Sequence, residues 1–164
     1  RQAYLDIIYK KTACLIGVSA SAGAMAVGAS QQKVALMRRF GEAVGMAFQI
    51  QDDILDYTRT AHTGKPANND LREGKIPLPL LAVLDKAPAE RCTELLERLA
   101  CCHDDEESVE YLQRTVENEG GLTFAAEVMR SYIARAVEML SEYEASDYRT
   151  ALANLCAYIA ERDR

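Results

Sequence analysis

The stretch that decides the fold reads GMAFQIQDDILDY and runs from Gly45 to Tyr57. If this stretch is wound into a helix, apolar side chains occupy most of its circumference, which is typical of a helix buried on nearly all sides. Apart from Gln51, its polar side chains fall within one arc of about 100°, and they are Gln49, Asp52, Asp53 and Asp56. The stretch therefore predicts a buried helix that carries three carboxylates on one side.

Carboxylates on a buried helix need a positive partner, because like charges this close otherwise force some of them to protonate. Oxygen ligands without a nearby His or Cys favour Mg²⁺ over zinc. The alternative is an acidic face exposed to water, but such a face normally mixes Lys and Arg among its acids. Neither occurs between Glu42 and Tyr57. The pattern therefore predicts a magnesium site formed by Asp52, Asp53 and Asp56.

The segment after this helix, residues 58–76, has no apolar periodicity, and its part Gly64–Lys75 contains the basic residues Lys65, Arg72 and Lys75. Segments of this length without regular structure are usually functional or disordered. Mg²⁺ commonly binds one or two carboxylates together with substrate phosphates. A basic, glycine-containing loop that follows carboxylates therefore predicts a functional phosphate-binding loop, although such a loop taken alone is also typical of a surface connection.

Apolar periodicity predicts helices in nearly all of the remaining chain. The first helix runs from about Ala3 to Gly28, and the second from about Gln31 to Tyr57, with Ser30 in the N-cap position. Further helices are predicted from Pro77 to about Lys86, after Pro88, around Val109–Val116, after Gly120-Gly121 and around Leu152–Ile159. No strand pattern or repeat is present. We expect one all-α domain, a helical bundle that spans residues 1–164.

Composition excludes several classes of protein. A net charge of −6 argues against a nucleic-acid partner. Five cysteines, an odd number, indicate reduced thiols and a cytoplasmic protein rather than a disulfide framework. A zinc site at Cys101-Cys102-His103 is disfavoured, because adjacent cysteines are not the usual ligand spacing. The uncharged run from Ala13 to Gln32 is diluted by small polar residues. It indicates a helix that neighbours approach closely rather than a transmembrane span.

Several motifs, in order, resemble those of the trans-prenyl diphosphate synthases. The segment Gly45–Tyr57 resembles the family's second aspartate-rich motif, and the loop Gly64–Lys75 follows as it does there. Upstream, the pair Lys11-Thr12 resembles its Lys-Thr motif. Two departures are visible, because Asn68 stands where relatives often have Gly and Pro77 where they often have Thr.

The family's first aspartate-rich motif has no counterpart in this sequence. The resemblance therefore implies the C-terminal half of the isoprenoid synthase fold, beginning inside a helix that follows a missing half. It also implies Mg²⁺-dependent condensation of an allylic diphosphate with isopentenyl diphosphate in isoprenoid biosynthesis. In that scheme Asp52 is the direct metal ligand, and Asp53 and Asp56 support it. The diphosphate contacts are Lys11, Lys65 and Lys75, and the residues that orient the ligand are Thr12 and Gln49.

Several alternatives stay open at the level of sequence. The chain could be a catalytic part of a prenyltransferase, or a non-catalytic subunit whose partner supplies the missing motif. A terpene-cyclase-like enzyme shares the fold but differs in its metal motifs, and a purely structural bundle does not account for the aspartates. We expect the chain on its own to lack activity. We also expect it to form a homodimer, or to bind a partner subunit, through the first helix.

Overall fold

The computed structural model describes residues 1–58 and 68–162. In these residues the regular structure is helical and no strand occurs, which confirms the all-α class. The elements are α1 (Gln2–Ile8), a π-helical turn (Tyr9–Ala13), α2 (Cys14–Ala26), α3 (Gln31–Thr58), α4 (Asn69–Arg72), α5 (Leu78–Leu84), α6 (Ala89–Cys101), α7 (Glu106–Asn118), α8 (Gly121–Leu140) and α9 (Asp147–Glu161). Among the described residues, none of these helices has the length and apolarity that a membrane span needs.

Helix ends follow the local signals of the sequence. Gly28 adopts a left-handed conformation with φ of 71° just after α2, a role that glycine fills without steric cost. Ser30 precedes α3, and its hydroxyl accepts a hydrogen bond from the Lys33 amide at 3.3 Å, as an N-cap does. Pro77 and Pro88 occupy the N-cap positions of α5 and α6. The predicted starts of these helices are thus confirmed.

The chain divides into two compact units, and both divisions fall within helices, one in α3 and one in α8. Of the described residues, one unit contains Arg1 and those between Asp52 and Ala126, and the other contains residues 2–51 and 127–162. The single domain expected from the sequence stays a prediction.

The core of the unit built on Asp52–Ala126 is formed by side chains from α3 to α7. Its buried members are Tyr57, Leu71, Leu80, Val83, Leu95, Leu99, Cys102, Val109, Leu112 and Val116. Cys102 belongs to this core, and its thiol donates to the Arg98 carbonyl at 3.3 Å. The neighbouring Cys101 is exposed, so the two cysteines face different surroundings.

In the other unit, α2 and α3 approach through glycines. A Cβ added to Gly41 would lie 2.7 Å from the Ile16 carbonyl oxygen, and one on Gly45 would lie 2.5 Å from the Ala13 Cα. Contacts this short leave no room for a side chain, so glycine permits the close approach. The prediction that the uncharged, small-residue helix allows a neighbour to pack closely is confirmed.

Two features differ from the sequence-based expectation. The first helix is not uniform, because the Cys14 amide bonds to the Tyr9 carbonyl five residues earlier and creates one wide turn. A single inserted residue of this kind does not disturb apolar periodicity enough to be visible in the sequence. Within the predicted loop 58–76, residues Asn69–Arg72 form the short helix α4, which is too brief to produce a periodic pattern.

Candidate metal and diphosphate site

The three aspartates of α3 differ in exposure. Asp53 and Asp56 are buried, each with 5% of its surface exposed, whereas Asp52 is half-buried. The prediction that this helix is buried is confirmed, since Ile50 is fully enclosed and Leu55 is 4% exposed. Among the three carboxylates, Asp52 is therefore the most accessible to a ligand.

The two buried carboxylates hold backbone amides of the segment that follows α3. The Asp53 Oδ2 accepts from the amide of Leu78, the first residue of α5, at 3.3 Å. The Asp56 Oδ2 accepts from the amide of Asp70 in α4 at 2.9 Å. The Asp56 carbonyl also accepts from the Asn68 amide at 2.9 Å. Each buried aspartate thus fixes the start of a different short helix through a hydrogen bond to a backbone amide.

The pKa of Tyr57 reflects the negative charges around it. Burial raises the pKa of its phenol well above 10.0, and the charges of Asp53, Asp56 and Asp70 raise it further. Tyr57 therefore stays neutral and adds no negative charge. A field produced by several carboxylates in a partly buried setting favours the binding of a cation.

In the described part of the predicted phosphate-binding loop, Asn68 and Lys75 form polar contacts through their side chains. Asn68 adopts the left-handed conformation with φ of 59°, and its side-chain amide donates to the Gln113 Oε1 at 2.9 Å. The Lys75 ammonium lies 3.0 Å from the Asp70 carboxylate and also pairs with Glu73. These carboxylates, Glu73 first, raise the pKa of Lys75, so the side chain keeps its charge.

The structure describes one of the other two basic residues of the loop, Arg72, but not Lys65. Lys65, predicted to bind diphosphate, lies outside the described residues. The Arg72 Nη2 donates to both oxygens of the Glu106 carboxylate, at 2.8 and 2.6 Å. Arg72 therefore connects α4 to α7 through a charge-assisted contact.

In the unit that contains residues 2–51, the structure brings together two residues predicted from separate motifs. The Thr12 hydroxyl donates to the Gln49 Oε1 at 3.0 Å, and Gln49 is 6% exposed. Lys11 lies next to Thr12 on the π-helical turn and is exposed. The turn thus presents an ammonium group beside a hydrogen-bonded Thr–Gln pair.

The donor set of the aspartate-rich helix suits a hard cation that is shared with a ligand. Within residues 1–58 and 68–162, no three His, Cys, Asp or Glu side chains converge so as to hold a metal ion by themselves. Mg²⁺ usually takes one or two protein carboxylates and completes its shell with waters and phosphate oxygens. The accessible Asp52 fits that requirement. The assignment of Asp52, Asp53 and Asp56 as ligands stays a prediction.

Sequence reasoning missed the groups that hold these side chains in place. The donors to Asp53 and Asp56 are backbone amides, which every residue but proline possesses and which leave no signature in the sequence. It also missed the hydrogen-bonded cluster in which Glu42 accepts from Tyr9, the first residue of the π-helical turn, and from Arg38 of α3. The spacing of Arg38 and Glu42, four residues apart on a helix, was the one available signal.

An all-α architecture with an aspartate-rich buried helix defines the class of proteins that share the isoprenoid synthase fold. The model of the polyprenyl synthetase family matches residues 1–117, and the chain belongs to that family. A polyprenyl synthase from Caulobacter crescentus CB15, solved with calcium and isoprenyl diphosphate, superimposes with a TM-score of 0.89 at 34% identity. That comparison covers 100% of this chain and 50% of the other.

Two relatives illustrate the range of the family. The short chain isoprenyl diphosphate synthase of Methanothermobacter thermautotrophicus is 35% identical over 163 residues, which is 99% of this chain and 50% of that protein. Component 2 of the heptaprenyl diphosphate synthase of Bacillus subtilis is 33% identical over 162 residues, or 98% and 45%. The chain thus spans about half the length of the relatives that it matches.

Proposed function

We propose that this protein takes part in the Mg²⁺-dependent, head-to-tail condensation of an allylic diphosphate with isopentenyl diphosphate. The observation that carries the proposal is the arrangement on α3, where an accessible Asp52 lies beside two buried aspartates that hold the following segment. Membership of the polyprenyl synthetase family gives this arrangement its chemical context. In the proposed enzyme, the chain contributes the second aspartate-rich motif and the basic loop.

Each residue has a proposed task. Asp52 offers carboxylate oxygens to the cation. Asp53 keeps α5 in place by accepting a hydrogen bond from a backbone amide of that helix, and Asp56 does the same for α4. Mg²⁺, when bound, supplies the charge that stabilises a departing diphosphate. The ammonium groups of Lys11, Lys65 and Lys75 bind the diphosphate oxygens, and Thr12 and Gln49 orient the substrate. For Lys75, binding competes with its ion pairs to Asp70 and Glu73.

The choice of metal rests on donor chemistry. The Caulobacter relative was solved with calcium and isoprenyl diphosphate, which supports a divalent cation and a diphosphate ligand for this chain. Carboxylate oxygens suit both Ca²⁺ and Mg²⁺, but a substrate diphosphate bound through few carboxylates is the usual setting of Mg²⁺. We therefore propose Mg²⁺ as the cofactor and a cytoplasmic location, as the reduced cysteines suggest.

A second arrangement is a protein that works with another chain. The relative from Bacillus subtilis is named as one component of its synthase, which supports a heteromeric assembly as an alternative to a homodimer. The first two helices and the residue that follows them carry exposed apolar side chains, namely Ile7, Leu15, Val18, Met25 and Val27. Exposed apolar groups of this kind often mark interfaces. We propose that this surface binds a second copy or a partner subunit, and that the chain alone is inactive.

The test replaces Asp52 with Asn in the intact enzyme that contains this chain. We expect the rate of isopentenyl diphosphate incorporation to fall by about 10²–10³-fold, the usual cost of losing one preorganised electrostatic contact. The magnesium concentration for half-maximal rate should rise. Asp104→Asn is the matched control, because Asp104 is 90% exposed and should leave both values unchanged. Near-normal turnover and magnesium dependence in Asp52→Asn would show that this helix is not the metal face.

A further inference from the structure

The wide turn Tyr9–Ala13 carries Lys11 and Thr12, and three contacts tie it to one row of α3. Tyr9, at its start, donates its hydroxyl proton to the Glu42 Oε1 at 3.0 Å. Ala13, at its end, is fully buried against Gly45. Thr12 donates to Gln49. The three α3 residues are spaced i, i+3 and i+7, so they lie on a single face of that helix.

Glu42 is held in position from three sides. Its Oε1 accepts from the Arg38 Nε at 3.0 Å as well as from Tyr9. Its stem passes over Gly17 of α2, where an added Cβ would lie 2.5 Å from the Glu42 Cγ. Only glycine leaves space for the stem at that point. Glu42 therefore contacts both the first residue of the wide turn, Tyr9, and the helix that follows the turn, at Gly17.

A wide turn of this kind needs such support. π-helical turns are rare, occur mostly as single turns inside α-helices and are frequent at functional sites. The turn holds one residue more than an α-helical turn. If it relaxed to α-helix, α1 would rotate by about 100° relative to α2. Tyr9 would then leave Glu42, and the direction of Lys11 relative to Thr12 would change.

We infer that Glu42 is a positioning residue, which fixes the wide turn through Tyr9 and thereby the direction of Lys11 and the Thr12–Gln49 pair. Its role in binding a diphosphate rests on the proposed function, whereas its role in holding the turn does not. Tyr9 and Glu42 also line an open groove of about 460 Å³ between α1, α3 and α8. Water can therefore reach Glu42 if the tyrosine hydroxyl is removed, so the loss of this contact should spare the fold.

The test uses the intact enzyme and two matched pairs of variants. Tyr9→Phe removes one hydroxyl, and its control Tyr148→Phe removes one from a side chain that is 85% exposed. Glu42→Ala removes the acceptor, and Glu42→Gln keeps an oxygen that Tyr9 can still donate to. Glu110→Ala is the control for the glutamate, because Glu110 also pairs with an arginine four residues away but lies far along the chain in α7.

The first readout is amide hydrogen exchange in the peptide that covers the wide turn. We expect Tyr9→Phe and Glu42→Ala to accelerate exchange about tenfold, the effect of losing a hydrogen bond to a charged group. Glu42→Gln should restore part of the protection, and both controls should leave it unchanged. Unchanged exchange in Tyr9→Phe and Glu42→Ala would overturn the inference, whatever the activity.

The second readout is steady-state kinetics with both diphosphate substrates. Tyr9→Phe and Glu42→Ala should raise KM about fivefold with kcat nearly unchanged, the pattern of weakened binding. Faster exchange with unchanged KM would overturn the positioning role and leave Glu42 a structural residue. A wild-type enzyme without prenyl transfer would contradict the proposed function and its diphosphate role, while the exchange result would still decide whether Glu42 holds the turn.

Discussion

Replacing Gly45 with Ala places a methyl group where α3 meets the end of the wide turn. The added Cβ would lie 2.5 Å from the Ala13 Cα and 3.0 Å from its Cβ. Ordinary contacts begin at 3.4 Å, so the two helices must separate by about 0.9 Å, the difference between 3.4 and 2.5. The obstructing Cα belongs to the main chain, and no side-chain rotation can move it away.

Two opposing terms set the size of the effect. Alanine gains about 1 kcal/mol over glycine inside a helix, whereas overpacking a tight contact costs about 1–3 kcal/mol. Because the obstruction is backbone, we expect the upper end of that cost and a net loss of about 2 kcal/mol in the free energy of unfolding. In the proposed enzyme the rate of prenyl transfer should also fall, since the displaced residue follows Lys11-Thr12 directly.

Gly23→Ala is the control for Gly45→Ala. Gly23 also lies in a helix, but within the described residues a Cβ there meets nothing within 4 Å. This variant should be as stable as wild type or more stable by up to about 1 kcal/mol. Urea unfolding of the intact protein, followed by far-UV circular dichroism, measures both. Equal midpoints for the two variants would refute the argument that α3 at Gly45 is in backbone contact with the end of the wide turn at Ala13.

Two further predictions concern the unit built on Asp52–Ala126. Asp105 accepts hydrogen bonds from the amides of Glu107 and Ser108 at the start of α7, so Asp105→Ala should lower the free energy of unfolding by about 1 kcal/mol. In thermal unfolding, the control Asp104→Ala, at an exposed neighbouring position, should be as stable as wild type. Equal losses of stability in the two variants would contradict the capping role of Asp105. Burial raises the pKa of Tyr57 above the 10.0 of an exposed tyrosine. Above pH 10 the tyrosine therefore ionises readily only in the unfolded chain. Its contribution to the free energy of unfolding is complete below pH 10 and is lost as the pH rises further. Tyr57→Phe should reduce that loss in unfolding midpoints measured from pH 9 to 11.5, and an unchanged pH dependence would contradict the assignment.

The helices could be predicted from the sequence wherever local signals were dense. α3 was expected from Gln31 to Tyr57 and runs to Thr58, because a capping serine and an almost continuous apolar surface define it. The wide turn at Tyr9 could not be predicted. It depends on the Tyr9–Glu42 contact, which joins residues 33 positions apart. Periodicity within one helix carries no information about such a contact.

The sequence predicted which residues lie together in the candidate site, but not which aspartate is accessible and which ones hold the following segment. The sequence indicates that Asp52, Asp53 and Asp56 share one side of a buried helix. Which of them stays accessible depends on the amides of Asp70 and Leu78, which bind the other two. Backbone donors are present at almost every position. Their use is decided only when the chain folds and the following segment returns to α3.

The three aspartates are therefore not interchangeable, and the proposed function gives this motif a second task beside its structural one. Asp53 and Asp56 bind the amides that begin α5 and α4, and they do so best as carboxylates, because charged acceptors form the stronger hydrogen bonds. Keeping them charged also maintains the negative field in which a cation would be bound near Asp52. In the proposed enzyme, the charged form of these aspartates would thus serve both the placement of the loop and the affinity for metal. Neutralising either buried aspartate should weaken both together, whereas neutralising Asp52 should affect the metal alone.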